Sequence, residues 1–191
     1  MPDVYVPPVA QKKLLDLARR TLEDRVRGSL RQLEAIQDDF LQRSDYGAFV
    51  SLHKRNELRG CVGTCTPKFP LYLTVIAMTE AAASRDHRMK PVSRSELDEI
   101  RIGITVLSPL QITRNPLSLI AGIHGLHVSR GEARAVLLPQ VAIEYGWDIQ
   151  QFLKQTCVKA GLHRNAWRDP DTKISSFTAL VLAESGDDVL P

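Results

Sequence analysis

Leu58-Arg59-Gly60-Cys61-Val62-Gly63-Thr64 is the stretch whose residue types and spacing could do chemistry. If it is extended, Arg59, Cys61 and Gly63 face one way while Leu58, Gly60 and Val62 face the other, which makes a guanidinium and a thiol neighbours. At about 7 Å and an effective dielectric of about 20 their attraction is ~2 kcal/mol. That is enough to lower a thiol pKa of about 8.5 by a unit or more. The product would be a partly ionised sulfur near neutral pH, with two glycines that let a ligand or another backbone approach closely. The same pattern also fits a small buried cysteine beside glycines that serve packing.

Other constellations are weaker. Cys61 and Cys65 are separated by three residues, but there is no second cysteine pair and no His-Glu-x-x-His, so no structural metal site is expected, while a facultative metal on Cys61 and a histidine stays open. No G-x-x-x-x-G-K-[ST] and no G-x-G-x-x-G is present, which excludes the standard nucleotide loops, and the residues name no cofactor. A G-x-S-x-G elbow is also missing. Arg85-Asp86-His87-Arg88 could hold an anion, although basic residues at a helix C-terminus also complement its dipole. Cys157 falls on the apolar side of a predicted helix and reads as core.

These residues must be positioned by a chain of 191 residues, 43% hydrophobic and 25% charged, the composition of an ordinary soluble globular protein. A chain of this length can bury roughly 70% of its unfolded surface without staples. Three cysteines and no secretory signal point to a reducing, cytoplasmic setting. The longest apolar run, Leu71 to Met78, is far short of the roughly 20 residues that cross a membrane. A net charge of +3, with 17 Arg and 8 Lys spread along the chain, gives no nucleic-acid or membrane signature.

Along the chain, Pro7 and Pro8 open a helix that Leu14, Leu15, Leu17, Ala18, Leu22 and Val26 make amphipathic and Gly28 stops. Tyr46–Leu52 and Leu58–Gly63 read as two strands of an antiparallel hairpin, linked by His53–Glu57. A helix is expected over about 70 to 85, and a half-buried strand at Ile100–Val106, where apolar residues alternate with Arg101, Gly103 and Thr105. Strands at Gly125–Ser129 and Glu132–Leu138 flank an Arg130-Gly131 turn. Asp148 with Gln151 marks the cap of a further helix, ended by Gly161. Ser175–Ala183 reads as the last strand, and the tail from Glu184 through 185–191 as frayed. Helices interleaved with hairpins predict an α+β fold rather than a doubly wound parallel sheet.

The heptad resembles the Leu-Arg-Gly-Cys-Ile-Gly-Thr signature of the AMMECR domain family. So do Ala82-Ala83-Ser84-Arg85-Asp86-His87-Arg88, Ile104-Thr105-Val106-Leu107-Ser108, Leu137-Leu138-Pro139-Gln140-Val141, Gly146-Trp147, Phe152-Leu153, Cys157 to Leu162 and Ala166-Trp167, in the family's order. The resemblance spans about residues 9 to 184 as a single domain. Val62 stands for isoleucine, His87 for proline and Met89 for phenylalanine. It implies an α+β fold in two lobes with a mostly antiparallel sheet, a second, smaller lobe and a cleft between them. In prokaryotes it implies a chromosomal association with Memo-like and radical S-adenosylmethionine proteins, but no established reaction. Residue by residue it makes Arg59, Gly60, Cys61, Gly63 and Thr64 the leading site candidates, followed by Asp86, Arg88 and Gln140.

Two functions compete. In one, Cys61 is a nucleophile or ligand contact, Arg59 stabilises its thiolate or binds a carboxylate, and Thr64 with nearby N–H groups supplies hydrogen bonds to a small-molecule or peptide ligand. In the other, the heptad lines a groove of a non-enzymatic, protein-binding scaffold. The modest charge and the absence of a base-stacking aromatic pair on a strand argue against nucleic acid.

Overall fold

The computed structural model describes residues 4–29, 36–55 and 57–184. The chain divides into two compact units, Tyr5–Leu107 with Leu180–Pro191, and Met1–Val4 with Ser108–Ala179.

The first unit starts with α1 (Pro8–Arg27), which proline opens and Gly28 closes at φ +73°, its N–H returning to the Asp24 carbonyl. Ala10, Leu14, Ala18 and Leu22 recur every four residues and form its buried stripe. Strands β1 (Gly47–Lys54) and β2 (Glu57–Thr64) pair antiparallel. The hairpin link is shorter than the sequence suggests, because His53, Lys54 and Glu57 all join the ladder and Arg55 turns the chain at φ +51°. Helix α2 (Leu71–Ser84) packs against α1 on one side and β1 and β2 on the other. That double cover explains why α2 is buried on most of its circumference rather than along one stripe.

Strand β3 (Ile100–Leu107) differs from the alternating expectation. Every residue except Arg101 is buried, so Gly103 and Thr105 are enclosed along with the isoleucines. The sheet order is β2-β1-β3-β8, with β8 spanning Ala179–Ala183, so β2 lies at an edge. Glu184 is pinned rather than frayed: its carboxylate pairs with Arg19 of α1 and accepts from the Ile102 N–H. The tail 185–191 lies outside the described residues.

In the second unit the sheet order is β4-β7-β5-β6, formed by Gln111–Ile112, Lys173–Phe177, Gly125–Arg130 and Ala133–Leu137 in that order. All of its pairs are antiparallel. Gly131 makes the β5–β6 turn at φ +57°, as its position in the sequence predicts, while Arg130 joins β5 and Glu132 falls in the turn. Helix α3 (Pro139–Glu144) is one the sequence pattern did not announce, being only six residues long. Helix α4 (Ile149–Lys159) is capped by Asp148, whose carboxylate accepts from the Gln151 N–H at 2.7 Å. Leu126, Val128, Phe152, Leu153, Cys157 and Trp167 form the core of this unit, which places Cys157 in packing.

The single strand expected at Ser175–Ala183 is two strands in two sheets, parted at Thr178. Thr178 exchanges hydrogen bonds with Ser108, accepting from its N–H at 2.9 Å and donating its own N–H to the hydroxyl at 3.0 Å. The fold is therefore α+β, built on two four-stranded sheets.

Candidate functional site

The heptad fills β2 almost end to end, and its neighbours are set by the ladder. Val62 opposes Val50 and Gly60 opposes Leu52 on the face that α2 covers. A methyl on Gly60 would lie 2.3 Å from the Ala82 carbonyl oxygen, so glycine is what lets the helix sit this close. The opposite face carries Phe49, Ser51 and His53 from β1, Gly63 and Cys61 from β2, and Gly103 and Thr105 from β3. Phe49 lies across Gly63, where a Cβ would come within 2.1 Å of the ring. Both glycines thus have packing reasons for being present.

The register corrects the expected pairing of Arg59 with Cys61. Leu52 opposes Gly60 but His53 opposes Leu58, so Arg59 is an extra residue in the strand with no cross-strand partner, and alternation breaks just before Gly60. Its guanidinium turns to Glu96 instead, with Nε donating to Oε1 at 2.8 Å and Nη2 to Oε2 at 3.2 Å. Nη1 and Nη2 also donate to the Lys90 and Pro91 carbonyls. Glu96 in turn accepts from the Ser93 N–H and hydroxyl. The Arg59 hydrogen bond, ahead of the Ser93 bonds, holds the Glu96 carboxyl down at about 2.

The charge beside Cys61 comes from the turn that follows α2. Asp86 accepts the Cys61 N–H at 2.9 Å, and Arg88 Nη2 donates to the Cys61 carbonyl at 3.0 Å. The two side chains are joined to each other by Arg88 Nε to Asp86 Oδ1 at 2.9 Å and Nη2 to Oδ2 at 2.8 Å. Only 3% of the Asp86 side chain is exposed. The Arg88 hydrogen bond, followed by those from the backbone N–H groups of Cys61 and Arg88, holds the Asp86 carboxyl far below the usual range despite burial. Asp86 raises the Arg88 pKa, and Cys61 adds a smaller electrostatic contribution. Within Arg85–Arg88 it is Asp86 and Arg88 that act together, as a clamp on the strand edge at Cys61.

Because both polar groups of the Cys61 backbone point to the clamp, Cys61 occupies a position turned away from β1 in the ladder. Residues opposed at such positions bring their side chains closest, which sets Ser51 against Cys61. Cys61 is half-buried, whereas Ser51, His53 and Thr105 on the same face are buried. His53 Nε2 is enclosed without a hydrogen-bond partner, and burial pulls the imidazole pKa down. Sequence reasoning passed over His53 by placing it in the hairpin link. The signal was there in Phe49, Ser51 and His53, which alternate with Val50 and Leu52 as a second, less apolar face.

Thr64 Oγ1 accepts from the Thr66 N–H at 3.1 Å, a local turn bond at the end of β2. Gln140 lies in the other unit, on α3, half-buried and with its Oε1 enclosed and unpartnered. Among the described residues no group of three or more His, Cys, Asp and Glu side chains could hold a metal ion. Nor, among them, is any helix long and apolar enough to cross a membrane.

The structure superposes on the crystal structure of the uncharacterized protein PH0010 from Pyrococcus horikoshii with a TM-score of 0.83 and 35% identity, covering 92% of this chain and 91% of that one. A protein of Methanothermobacter thermautotrophicus is 41% identical over 183 residues, 92% of this chain and 94% of its own length. Protein TK0174 of Thermococcus kodakarensis is 39% identical over 182 residues, 90% of this chain and 88% of its own. The AMMECR1 family pattern matches residues 15–182, and the chain belongs to the AMMECR1 family.

Proposed function

We propose that this protein is a ligand-binding or catalytic component centred on Cys61, working alongside Memo-like and radical S-adenosylmethionine proteins. The observation that carries the reading is the clamp: a buried carboxylate and its arginine are both devoted to the backbone of one residue, whose side chain is left half-buried on a face of buried Ser51, His53 and Thr105. Edge strands are ordinarily protected by charge or by cover. A paired donor and acceptor at a single cysteine does more, since it fixes the backbone from which the thiol projects. Arg88 takes the electrostatic role foreseen for Arg59, and Arg59 acts at a distance by tying β2 to Glu96.

Alkylation by iodoacetamide, followed peptide by peptide against pH, tests the reading. Cys61 should react with a midpoint below the ordinary thiol value of about 8.5. A midpoint at or above that value removes the nucleophile. Co-purification of wild type and Cys61→Ala with a Memo-like or a radical S-adenosylmethionine protein addresses the partners. Capture unchanged by Cys61→Ala and lost in Arg88→Ala would favour the scaffold reading, in which the clamped edge is a docking surface.

A further inference from the structure

One buried group on the Cys61 face, His53, stands outside the Asp86–Arg88 clamp. His53 is only 8% exposed, and its Nε2 has no hydrogen-bond partner. A polar atom enclosed in this way ordinarily finds a partner, and an orphan calls for a reason. His53 follows Ser51 by two residues on β1, and Ser51 is directly opposite Cys61. Cys61 and His53 are therefore diagonal neighbours on one face, and such neighbours lie roughly 7–8 Å apart, within reach of a long side chain. The irregularity between Leu52 and His53 leaves Leu58 opposite the histidine, and the guanidinium of the intervening Arg59 is bonded to Glu96. From β3 the opposed residue is Arg101, whose guanidinium donates to the Asp98 and Ile100 carbonyls.

The geometry points to His53 as the proton acceptor that ionises Cys61, making the pair a nucleophile and base for a small carbon electrophile. This rests on the reading of Cys61 given above and names its missing base. The step is a proton transfer followed by substitution. The Cys61 S–H bond breaks and an Nε2–H bond forms. The thiolate sulfur then bonds to the electrophilic carbon, and the leaving group departs with its electron pair and can take the proton back from Nε2. No oxidant or reductant is involved. Burial lowers the imidazole pKa, which favours the neutral ring, and in the tautomer that carries its proton on Nδ1 the enclosed Nε2 is the acceptor. Ser51 and Thr105, both buried on this face, are hydroxyl donors available to an oxygen of the electrophile.

The test uses the full chain with iodoacetamide as the electrophile, reading Cys61 alkylation from pH 5 to 10 in wild type and His53→Gln. Loss of the base should raise the midpoint by about one unit and slow the reaction about tenfold at pH 7, with the same plateau at high pH. Superimposed profiles overturn the inference while leaving the Cys61 reading intact, and so does a uniform drop at every pH, the mark of a structural role. A Cys61 that does not react at any pH overturns both. Where His53→Gln fails to fold, the imidazole is followed by NMR in wild type and Cys61→Ala instead. Its titration midpoint should fall by about half a unit when the sulfur is removed, and an unmoved midpoint overturns the pairing.

Discussion

Each sheet has an exposed-edge strand that follows a hairpin turn, and the two edges are protected differently. At β6 the Val136 carbonyl accepts from Lys159 Nζ at 2.9 Å, and Lys159 is an exposed residue at the end of α4. At β2 the edge meets Asp86 and Arg88, which answer an N–H and a carbonyl of the same residue and are bonded to each other. A lysine is a compact charge on a flexible stem and satisfies a carbonyl without fixing it. A carboxylate joined twice to a guanidinium has a set orientation and presents an acceptor beside a donor, as a neighbouring strand would. The difference separates an edge that is merely discouraged from pairing from one held in place at a chosen residue.

Substitutions should reproduce that contrast. Asp86→Ala leaves the Cys61 N–H and Arg88 without their partner, and the expected cost is about 3 kcal/mol in chemical denaturation. A loss no greater than that at the β6 edge would end the distinction. Acid should come next in effect. Asp86 and Glu96 both have pKa values depressed in the folded state, so the stability they contribute is present above their unfolded values and lost as pH falls through the folded ones. For Glu96 that window runs from about 4.5 down through about 2. Wild type should exceed Glu96→Gln by about 2 kcal/mol at pH 7 and lose that margin by pH 2. An unchanged margin in acid would remove Glu96 as the anchor of Arg59. Lys159→Ala should cost the least, under about 0.5 kcal/mol by the same denaturation measurement, in keeping with an exposed polar contact.

Local signals in the sequence located the elements, and long-range ones were needed to orient them. Proline at the start of α1, Gly28 at its end and Asp148 before α4 act within a few residues, so these boundaries could be read directly. The face of Arg59 could not be, because alternation along one strand holds only while the register is regular, and the irregularity is a property of the pair. Its partner Glu96 is 37 residues away, a distance no local spacing encodes. The split at Thr178 was hidden for a similar reason: apolar and small residues run on through the crossing, and only the pairing shows that they serve two sheets. Within the site, Cys61, Asp86 and Arg88 were all singled out from sequence and are brought together by α2 and its turn. The Asp86-to-Cys61 bond nevertheless joins an edge strand to a helix end, which types and spacing do not announce.

The passage of the chain through Thr178 bears on how the protein is made. Residues 108–179 are inserted between β3 and most of the strand that flanks it, so the first unit is discontinuous in sequence. A ribosome delivers α1, the β1–β2 hairpin, α2 and β3 early, then synthesises the whole second unit before β8 emerges. Until then the side of β3 away from β1 is an open sheet edge, the feature that makes folding intermediates prone to aggregate. Among the described residues the last partner to arrive is Glu184, which reaches back 165 residues to Arg19. Strand β8 therefore works as a latch, and closure of the first unit must wait until the whole second unit has been made.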